Sequence, residues 1–336
     1  MGIKIGNIET RNRVFLAPMS GVSDAPFRAV AHAHGAGLVF SEMVASEELV
    51  KARPDMVRRA AGGEGLSPFV IQLAGREAQW MAEGARVAED LGADIIDINM
   101  GCPARQVTGG LSGSALMRDL DHAMTLVEAT VHAANVPVTL KMRLGWDAGT
   151  MNAPELARRA EMAGVAMVTV HGRTRCQFYG GKADWAAIAR VRDAISIPLV
   201  ANGDGQSADD AKAMMKASGA DAIMIGRGAY GRPWWPGVVA NHLDPGSGTG
   251  EPELPEERRI VCEHHGAIIS FHGDNHGNRI ARKHVGWVID RLAARCLIAP
   301  AEVSTWRIRL LQTKDNALVA RGLVELYDHA SDRRAA

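Results

Sequence analysis

A cysteine in the segment DINMGCPARQV has neighbours that suggest chemistry. Cys102 comes directly after Asn-Met-Gly and directly before Pro103. The apolar run GADIIDINM predicts a buried strand, so Cys102 would lie where that strand ends and a loop begins. A cysteine thiol is mostly protonated at neutral pH and could give a proton to a carbon atom. The alternative is a small buried hydrophobic residue, which is the usual role of an intracellular cysteine.

Polar residues also stand at or near the ends of other apolar runs. Any one of them could be a hydrogen-bonding group of the core, but seven polar strand ends are hard to explain in this way, because buried polar groups without partners are costly. The set is Ala17-Pro18-Met19-Ser20, Gln72, Asn99 with Gly101 and Cys102, Lys141 with Arg143, His171 with Arg173, Asn202-Gly203-Asp204, and Gly226-Arg227.

The residue types in this set are typical of a flavin site. Lys141 and His171 could place positive charge or hydrogen-bond donors beside an electron-rich ring, and a lysine would stabilise the negative charge near N1 of a reduced flavin. The amide of Gln72 can donate and accept, which suits the edge of an isoalloxazine or uracil ring. The turns Asn202-Gly203-Asp204 and Gly226-Arg227 predict a phosphate site. Because no GxGxxG motif supports a dinucleotide site, we predict FMN.

The elements that must position these residues are eight short apolar runs. They are apolar throughout rather than alternating, as strands of a parallel sheet buried on both faces should be. Ala-rich segments of helical periodicity lie between most of them, which predicts a (β/α)8 TIM barrel, with a doubly wound sheet as the alternative. The predicted strands cover residues 14–19, 37–44, 68–74, 94–100, 137–143, 167–173, 198–204 and 222–227.

The pattern changes after residue 242. We predict a barrel domain over 1–242, a Gly/Pro-rich linker over 243–257 and a smaller α-helical domain over 258–336. Segment 279–314 carries eight basic residues against two acidic ones, which indicates either a solvated helix surface or a contact with a phosphate backbone. The basic residues are Arg279, Arg282, Lys283, Arg291, Arg295, Arg307, Arg309 and Lys314, and the acidic ones are Asp290 and Glu302.

Composition excludes several classes of protein. The 336 residues have a formal net charge of zero, so nucleic-acid binding would need a local basic patch. None of the four cysteines forms a CxxC pair, which argues against zinc and iron–sulfur sites, and we predict no metal. The first residues have no long apolar core, so we expect no secretory signal, and no apolar run is long enough to predict a membrane span. We expect a cytoplasmic protein without membrane contact, monomeric and without an obligate protein partner.

Six segments together resemble the tRNA-dihydrouridine synthases: APMSGVSDAPFR, DINMGCPARQVTGGLSGSALMRD, VTLKMRLGW, VHGRTR, ANGD and MIGRGAYGRPW. The resemblance extends from the first predicted strand to residue 235, resumes at NRIARKHVGW (278–287), and is strongest to the bacterial branch. It implies an FMN-bound TIM barrel followed by a helical RNA-binding domain. In that family NADPH reduces FMN, a hydride passes to C6 of a tRNA uridine, and a cysteine protonates C5.

Carried onto this chain, the resemblance implies that Cys102 is the proton donor and that Asn99 lies close to the substrate uracil. The implied flavin contacts are Pro18, Met19, Ser20, Gln72, Lys141, Asn202, Gly203, Asp204, Gly226 and Arg227, with His171 near the flavin. The implied contacts with tRNA are Arg143, Arg173 and Arg175, together with Arg279, Arg282 and Lys283 of the basic segment. Gly205 departs from the family pattern, which has an apolar residue there, and GGEG at 62–65 predicts a variable loop.

Two other functions remain open from the sequence. An FMN-dependent oxidoreductase of free pyrimidines, of the dihydroorotate dehydrogenase type, would use similar chemistry but would not need the basic C-terminal segment. A non-catalytic RNA-binding protein on a degenerate barrel is the second alternative. The presence of Cys102, Lys141 and His171 argues against it.

Overall fold

Eight parallel strands close into a barrel in the computed structural model, which describes residues 1–62 and 65–335. The predicted loop at 62–65 therefore falls partly outside the described residues. A short hairpin, β1 (Lys4–Ile5) and β2 (Ile8–Glu9), precedes the barrel. The barrel strands are β3 (Val14–Leu16), β4 (Leu38–Ala45), β5 (Phe69–Ala74), β6 (Ile95–Met100), β7 (Val138–Arg143), β8 (Met167–His171), β9 (Leu199–Asn202) and β10 (Ala222–Ile225). β10 pairs with both β9 and β3 and closes the ring, so the TIM-barrel prediction is confirmed and the doubly wound alternative is excluded.

The helices between the strands begin at side-chain caps in several places. Asp24, Asp119 and Asp184 each accept a hydrogen bond from the backbone of the first turn that follows, and Ser207 with Asp210 forms a capping box. The helices are α1 (Ala25–Ala33), α2 (Ser46–Val50), α3 (Pro54–Ala60), α4 (Ala78–Asp90), α5 (Arg105–Gly109), α6 (Leu120–Ala133), α7 (Ala153–Met162), α8 (Trp185–Arg192), α9 (Ala208–Ser218) and α10 (Trp235–Leu243), with 3-10 turns at Gly113–Arg118 and Arg227–Ala229.

The barrel interior changes from apolar to polar along the strands. Its first layers are apolar and include Phe15, Val70, Ile95 and Val200, against which Ile8 of the hairpin packs. Further along β6, the buried side chains that follow Ile95 on the same face are Asp97 and Asn99. The polar half therefore lies at the carboxyl ends of the strands, where barrel enzymes carry their active sites.

The chain forms two compact units, residues 1–228 with 236–249 and residues 229–235 with 250–336. The second unit contains α11 (Leu254–His272), α12 (Asp274–Ala294), α13 (Pro300–Leu311) and α14 (Asn316–Ala335). Since α11 begins at Leu254, the last residues of the predicted linker are helical. The functional boundaries at 242 and 258 stay predictions. Within residues 1–62 and 65–335, none of the helices is long and apolar enough to cross a membrane.

Candidate active site

The loop that carries Cys102 is held through its backbone. Asn99, the last inward-facing residue of β6, accepts hydrogen bonds at Oδ1 from the N–H groups of Gly101 (3.2 Å) and Cys102 (2.9 Å). The carbonyl of Cys102 accepts from the hydroxyl and the N–H of Ser114 (2.8 and 3.1 Å). The thiol of Cys102 takes no part in these bonds, so the loop is fixed and the side chain is left available for chemistry. Cys102 is half-buried and is not in a disulfide.

A buried carboxylate that was not predicted from the sequence lies below this loop. Asp97 is fully buried and accepts hydrogen bonds from Gln72 Nε2 (2.7 Å) and Thr139 Oγ1 (2.6 Å). Burial raises the pKa of Asp97 to about 6, against these two hydrogen bonds and the charge of Lys141. The available sequence signal was an acidic residue in the middle of an apolar buried strand, where a charge is costly without partners.

Lys141 on β7 is a buried cation, 9% exposed, and its ammonium donates one long hydrogen bond, 3.3 Å, to Asn202 Oδ1. Burial lowers its pKa to about 8, although the charge of Asp97 opposes the shift. Lys141 is therefore still mostly protonated at neutral pH. Burial and nearby cations, led by Lys141 and Arg143, lower the pKa of His171 well below its usual value, so His171 is neutral there.

Two arginines that the sequence places near tRNA are buried in the structure. Arg143 is 1% exposed and donates to the carbonyls of Gly101, Thr174 and Phe178, each at 2.8 Å. It thus ties the Cys102 loop to the loop after β8. This geometry favours a role in holding loops, and the predicted contact of Arg143 with RNA stays untested.

Arg173 is the second buried arginine, 1% exposed, and it donates to the carbonyls of Gly180 and Gly181. Its guanidinium also holds the carboxylate of Asp204 with two hydrogen bonds, 2.8 and 2.7 Å. Arg173 therefore also holds loops, and its predicted RNA contact is untested. Arg175 is only half-buried: it stacks over Trp146 at 4.8 Å and donates to Thr108 Oγ1 at 3.3 Å.

The turn after β9 is built around an ionised carboxylate. Asp204 has a left-handed backbone, φ 58°, which is unfavourable for a residue with a side chain. Burial opposes its ionisation, but the hydrogen bonds from Arg173 and the Ala183 N–H and the charge of Arg227 hold its pKa below the usual value. Arg227 lies 3.2 Å from the same carboxylate and is half exposed. A carboxylate would repel a phosphate, so any contribution of Asp204 to a phosphate site would act through Arg227 and the turn.

The glycine after β10 could carry a Cβ without a clash, whereas the glycine after β9 could not. A Cβ added to Gly226 would meet nothing closer than Met19 Sδ at 3.6 Å, whereas one added to Gly203, φ 121°, would collide with Ala183 and His171. Pro18 and Met19 are half-buried and Ser20 is exposed. The loop they form is held by Glu42, which accepts from the Gly21 N–H at 2.5 Å and which was not predicted from the sequence.

The basic segment of the helical unit is partly neutralised by its own fold. Glu257, fully buried on α11, forms ion pairs with Arg291 and Arg295 of the segment. Two further arginines pair with carboxylates, Arg307 with Asp290 and Arg309 with Glu325. The charge excess counted along the sequence is therefore smaller in the fold. Arg279 and Lys314 are exposed, and Arg282 and Lys283 are half-buried. The contact of Arg279, Arg282 and Lys283 with RNA stays a prediction.

The residues at the barrel mouth fit a flavin mononucleotide. The Lys141 ammonium carries three hydrogens, and the structure gives it one hydrogen bond within the described residues, so it can still donate to an electron-rich ring. Gly226 has no side chain that would cover its backbone, and Arg227 supplies an accessible positive charge next to it. Across residues 1–62 and 65–335, no cluster of His, Cys, Asp and Glu side chains could hold a metal ion.

The model of the dihydrouridine synthase family matches residues 15–315. The chain belongs to the dihydrouridine synthase family. Dihydrouridine carries two more hydrogens than uridine, so the synthases are oxidoreductases. The chain is 53% identical over 321 residues to a "Probable tRNA-dihydrouridine synthase" of Rhizobium leguminosarum, covering 96% of this chain and 97% of the relative. A protein with the same name from Rhodobacter capsulatus is 54% identical over 300 residues, covering 88% and 91%.

The fold is shared with a wider group of proteins. The histamine dehydrogenase of Rhizobium sp. 4-9 superimposes with a TM-score of 0.56 at 16% identity, over 85% of this chain and 50% of that chain. At this identity the likeness concerns the fold only.

Proposed function

We propose that this chain is a tRNA-dihydrouridine synthase that binds FMN and uses NADPH to reduce the C5–C6 bond of specific uridines in tRNA. The observation that carries the proposal is the position of Cys102. Cys102 lies two residues after the end of β6, in a loop fixed by Asn99, at the edge of the barrel that also carries Lys141. Membership of the family supports the same reaction.

In this proposal the barrel mouth holds FMN. Lys141 and Gln72 would contact the ring, with neutral His171 beside it, and Asn202 would hold Lys141 in place. The turns at Gly203 and Gly226, together with Arg227, would hold the phosphate. When bound, FMN supplies the hydride that is added to C6 of the uracil ring. Asp204 would keep Arg227 in place rather than contact the phosphate itself.

Cys102 completes the reaction in this proposal by giving the thiol proton to C5. One hydride and one proton then convert uridine to dihydrouridine, and the cysteine thiolate recovers a proton from water. Asn99 lies directly before the loop and would contact the uracil, because one hydrogen of its amide nitrogen is not used by Gln72. A uracil within folded tRNA cannot reach the barrel mouth unless the nucleotide is flipped out. We propose that the enzyme works in the cytoplasm as a monomer.

Substrate choice tests the function directly. The flavin-loaded protein, incubated with NADPH, is expected to reduce uridines of unmodified tRNA and to leave orotate and free uracil unchanged. Product formation is measured by mass spectrometry of the nucleosides and the free bases. Reduction of orotate with no dihydrouridine in tRNA would replace the proposal with a free-pyrimidine oxidoreductase. A chain that carries no flavin after purification and binds none on titration would contradict the cofactor assignment.

The basic segment provides a second test, with a control inside the same segment. Replacing Arg279, Arg282 and Lys283 by alanine is expected to weaken tRNA binding and to reduce the slope of log K against log salt by about 0.7–0.9 for each phosphate that is no longer neutralised. The control replaces Arg307 and Arg309, whose charges are paired with Asp290 and Glu325. Filter binding at several salt concentrations measures both variants. Equal effects of the two variants, or none, would show that the first three residues do not touch tRNA.

A further inference from the structure

The hydrogen bonds below Cys102 form a chain whose direction is fixed at one end. The N–H groups of Gly101 and Cys102 can only donate, so the atom of Asn99 that faces them must be the oxygen. The amide nitrogen of Asn99 then faces Gln72 Oε1, at 2.7 Å. The amide nitrogen of Gln72 must in turn face Asp97 Oδ2, also at 2.7 Å. Asp97 therefore has to accept the hydrogen bond from Gln72.

The other oxygen of Asp97 closes the chain. Thr139 Oγ1 donates to Asp97 Oδ1 at 2.6 Å, so both oxygens accept and the carboxylate is fully buried. The three residues lie on adjacent strands, since Gln72 pairs with Asp97 and Asp97 with Thr139 in the barrel register. Lys141 on β7 is the charged group that acts on Asp97. The site predicted from the sequence contains Gln72 and Asn99. The oxygen and nitrogen ends of their amide groups are similar in size, and nothing in the predicted site explains which end points where.

We propose that Asp97 is a positioning residue that holds the Gln72 and Asn99 amides in the orientation that the backbone of the Cys102 loop requires, and thereby fixes the polarity that the barrel mouth presents to its ligands. Each amide nitrogen keeps one hydrogen after the bonds of the chain are made. The site therefore offers N–H donors, which match the carbonyl oxygens of a uracil or an isoalloxazine ring. Without an acceptor at position 97, the amide nitrogen of Gln72 has no buried partner. If Gln72 then reverses or moves, Asn99 loses the acceptor that holds its side chain below the Cys102 loop. The catalytic consequence rests on the proposed function.

Two substitutions separate the acceptor from the charge of Asp97. In Asp97→Asn, the amide oxygen can still accept a hydrogen bond from Gln72. The amide nitrogen can donate to the hydroxyl of Thr139, which is able to accept. In Asp97→Leu, the leucine side chain is similar in size but accepts no hydrogen bond. Leaving a buried donor without a partner costs about 1–3 kcal/mol, so dihydrouridine formation and FMN affinity of Asp97→Leu should fall by about 10- to 100-fold. Asp97→Asn should stay within about tenfold of the parent.

Hydrogen–deuterium exchange gives a readout that does not depend on the proposed function. The amides of Gly101 and Cys102 should exchange faster in Asp97→Leu than in the parent, and Asp97→Asn should restore the slow exchange. If the parent makes no dihydrouridine but these exchange rates follow the expectation, the proposed function fails and the positioning role stands. Unchanged exchange and unchanged FMN affinity in a folded Asp97→Leu protein would overturn the inference, and so would equal losses in both variants.

A matched pair of threonines covers the case in which Asp97→Leu does not fold. Thr139 and Thr169 are both fully buried on neighbouring strands, but Thr169 Oγ1 has no hydrogen-bond partner among the described residues. Thr139→Val removes the hydroxyl that donates to Asp97 Oδ1, so the carboxylate is held less firmly and the amides of Gly101 and Cys102 should exchange faster than in the parent. Thr169→Val should leave these exchange rates unchanged. Identical exchange rates in the two variants would contradict the role of Asp97.

Discussion

Replacing Cys102 by alanine is expected to lower dihydrouridine formation in tRNA by about 10²- to 10⁴-fold, the range that a positioned general acid contributes. FMN content and NADPH oxidation should not change. The reason is that the loop is held by the N–H and the carbonyl of residue 102, which alanine keeps, and by Asn99 and Ser114. The substitution therefore removes the thiol alone. Stopped-flow absorbance measures flavin reduction, and nucleoside analysis measures the product.

The matched control for this experiment is Cys176→Ala. Cys176 is an exposed thiol in the loop after β8, and it is given no role in the reaction. It should keep full activity and thereby show that loss of a thiol as such is harmless. If the Cys102→Ala protein forms dihydrouridine at the parent rate, Cys102 is not the proton donor. A parallel loss of FMN would instead assign Cys102 to cofactor binding.

Replacing Lys141 by methionine should weaken cofactor binding strongly. Methionine has a similar length but no charge, and it removes a donor of charge-assisted hydrogen bonds from the buried mouth of the barrel. A hydrogen bond of this kind contributes about 1.5–3 kcal/mol, so FMN should bind roughly 10- to 150-fold more weakly to the variant at pH 7. Fluorescence titration of the apoprotein measures the affinity, and the exposed Lys182 serves as the control, as Lys182→Met.

The pH dependence of FMN affinity identifies the ammonium as the group responsible. Because burial lowers the pKa of Lys141 to about 8, the apoprotein loses this positive charge as the pH rises through 8. FMN affinity should therefore be high below this pH and fall above it. The second ionisation of a phosphate monoester lies near pH 6 and so outside this range. Lys141→Met should show no inflection near pH 8. The same inflection in the variant would assign it to another group.

Much of the barrel could be predicted from the sequence because buried parallel strands have a clear pattern. All eight predicted runs overlap a barrel strand, and β5, for example, covers 69–74 where 68–74 was expected. The ends were less accurate: β3 ends at Leu16 rather than Met19, because the Ala17-Pro18-Met19 stretch carries apolar residues into a loop. The pattern of residue types also located the mouth of the barrel, since strand ends of a closed parallel barrel must meet at one edge.

The role of Asp97 could not be predicted in the same way. Its partners Gln72 and Thr139 are far away in the sequence, and they meet Asp97 only through the register of three strands. That register is set by closure of the barrel and not by any local pattern. Without knowledge of this register, the sequence does not show which hydrogen-bond donors an acidic residue inside a strand would meet.

The arginines show a related limit of the sequence. Arg143 and an arginine on the surface look the same in a sequence, yet Arg143 is buried and donates to three carbonyls. In the helical unit, the partner of Arg291 is Glu257, which lies 34 residues earlier on another helix. A count of charges along one segment omits such partners, so it overestimated how much positive charge is available to RNA.

The proposed reaction is best tested by a map of dihydrouridine along tRNA after incubation with the purified protein and NADPH. The tRNA should be isolated from cells that lack this protein, so that it carries its other modifications but not the dihydrouridine under test. We expect dihydrouridine at defined positions with the parent, and at least about 100-fold slower formation at the same positions with Cys102→Ala. A flavin-loaded parent protein that forms no dihydrouridine in this tRNA would contradict the proposed function.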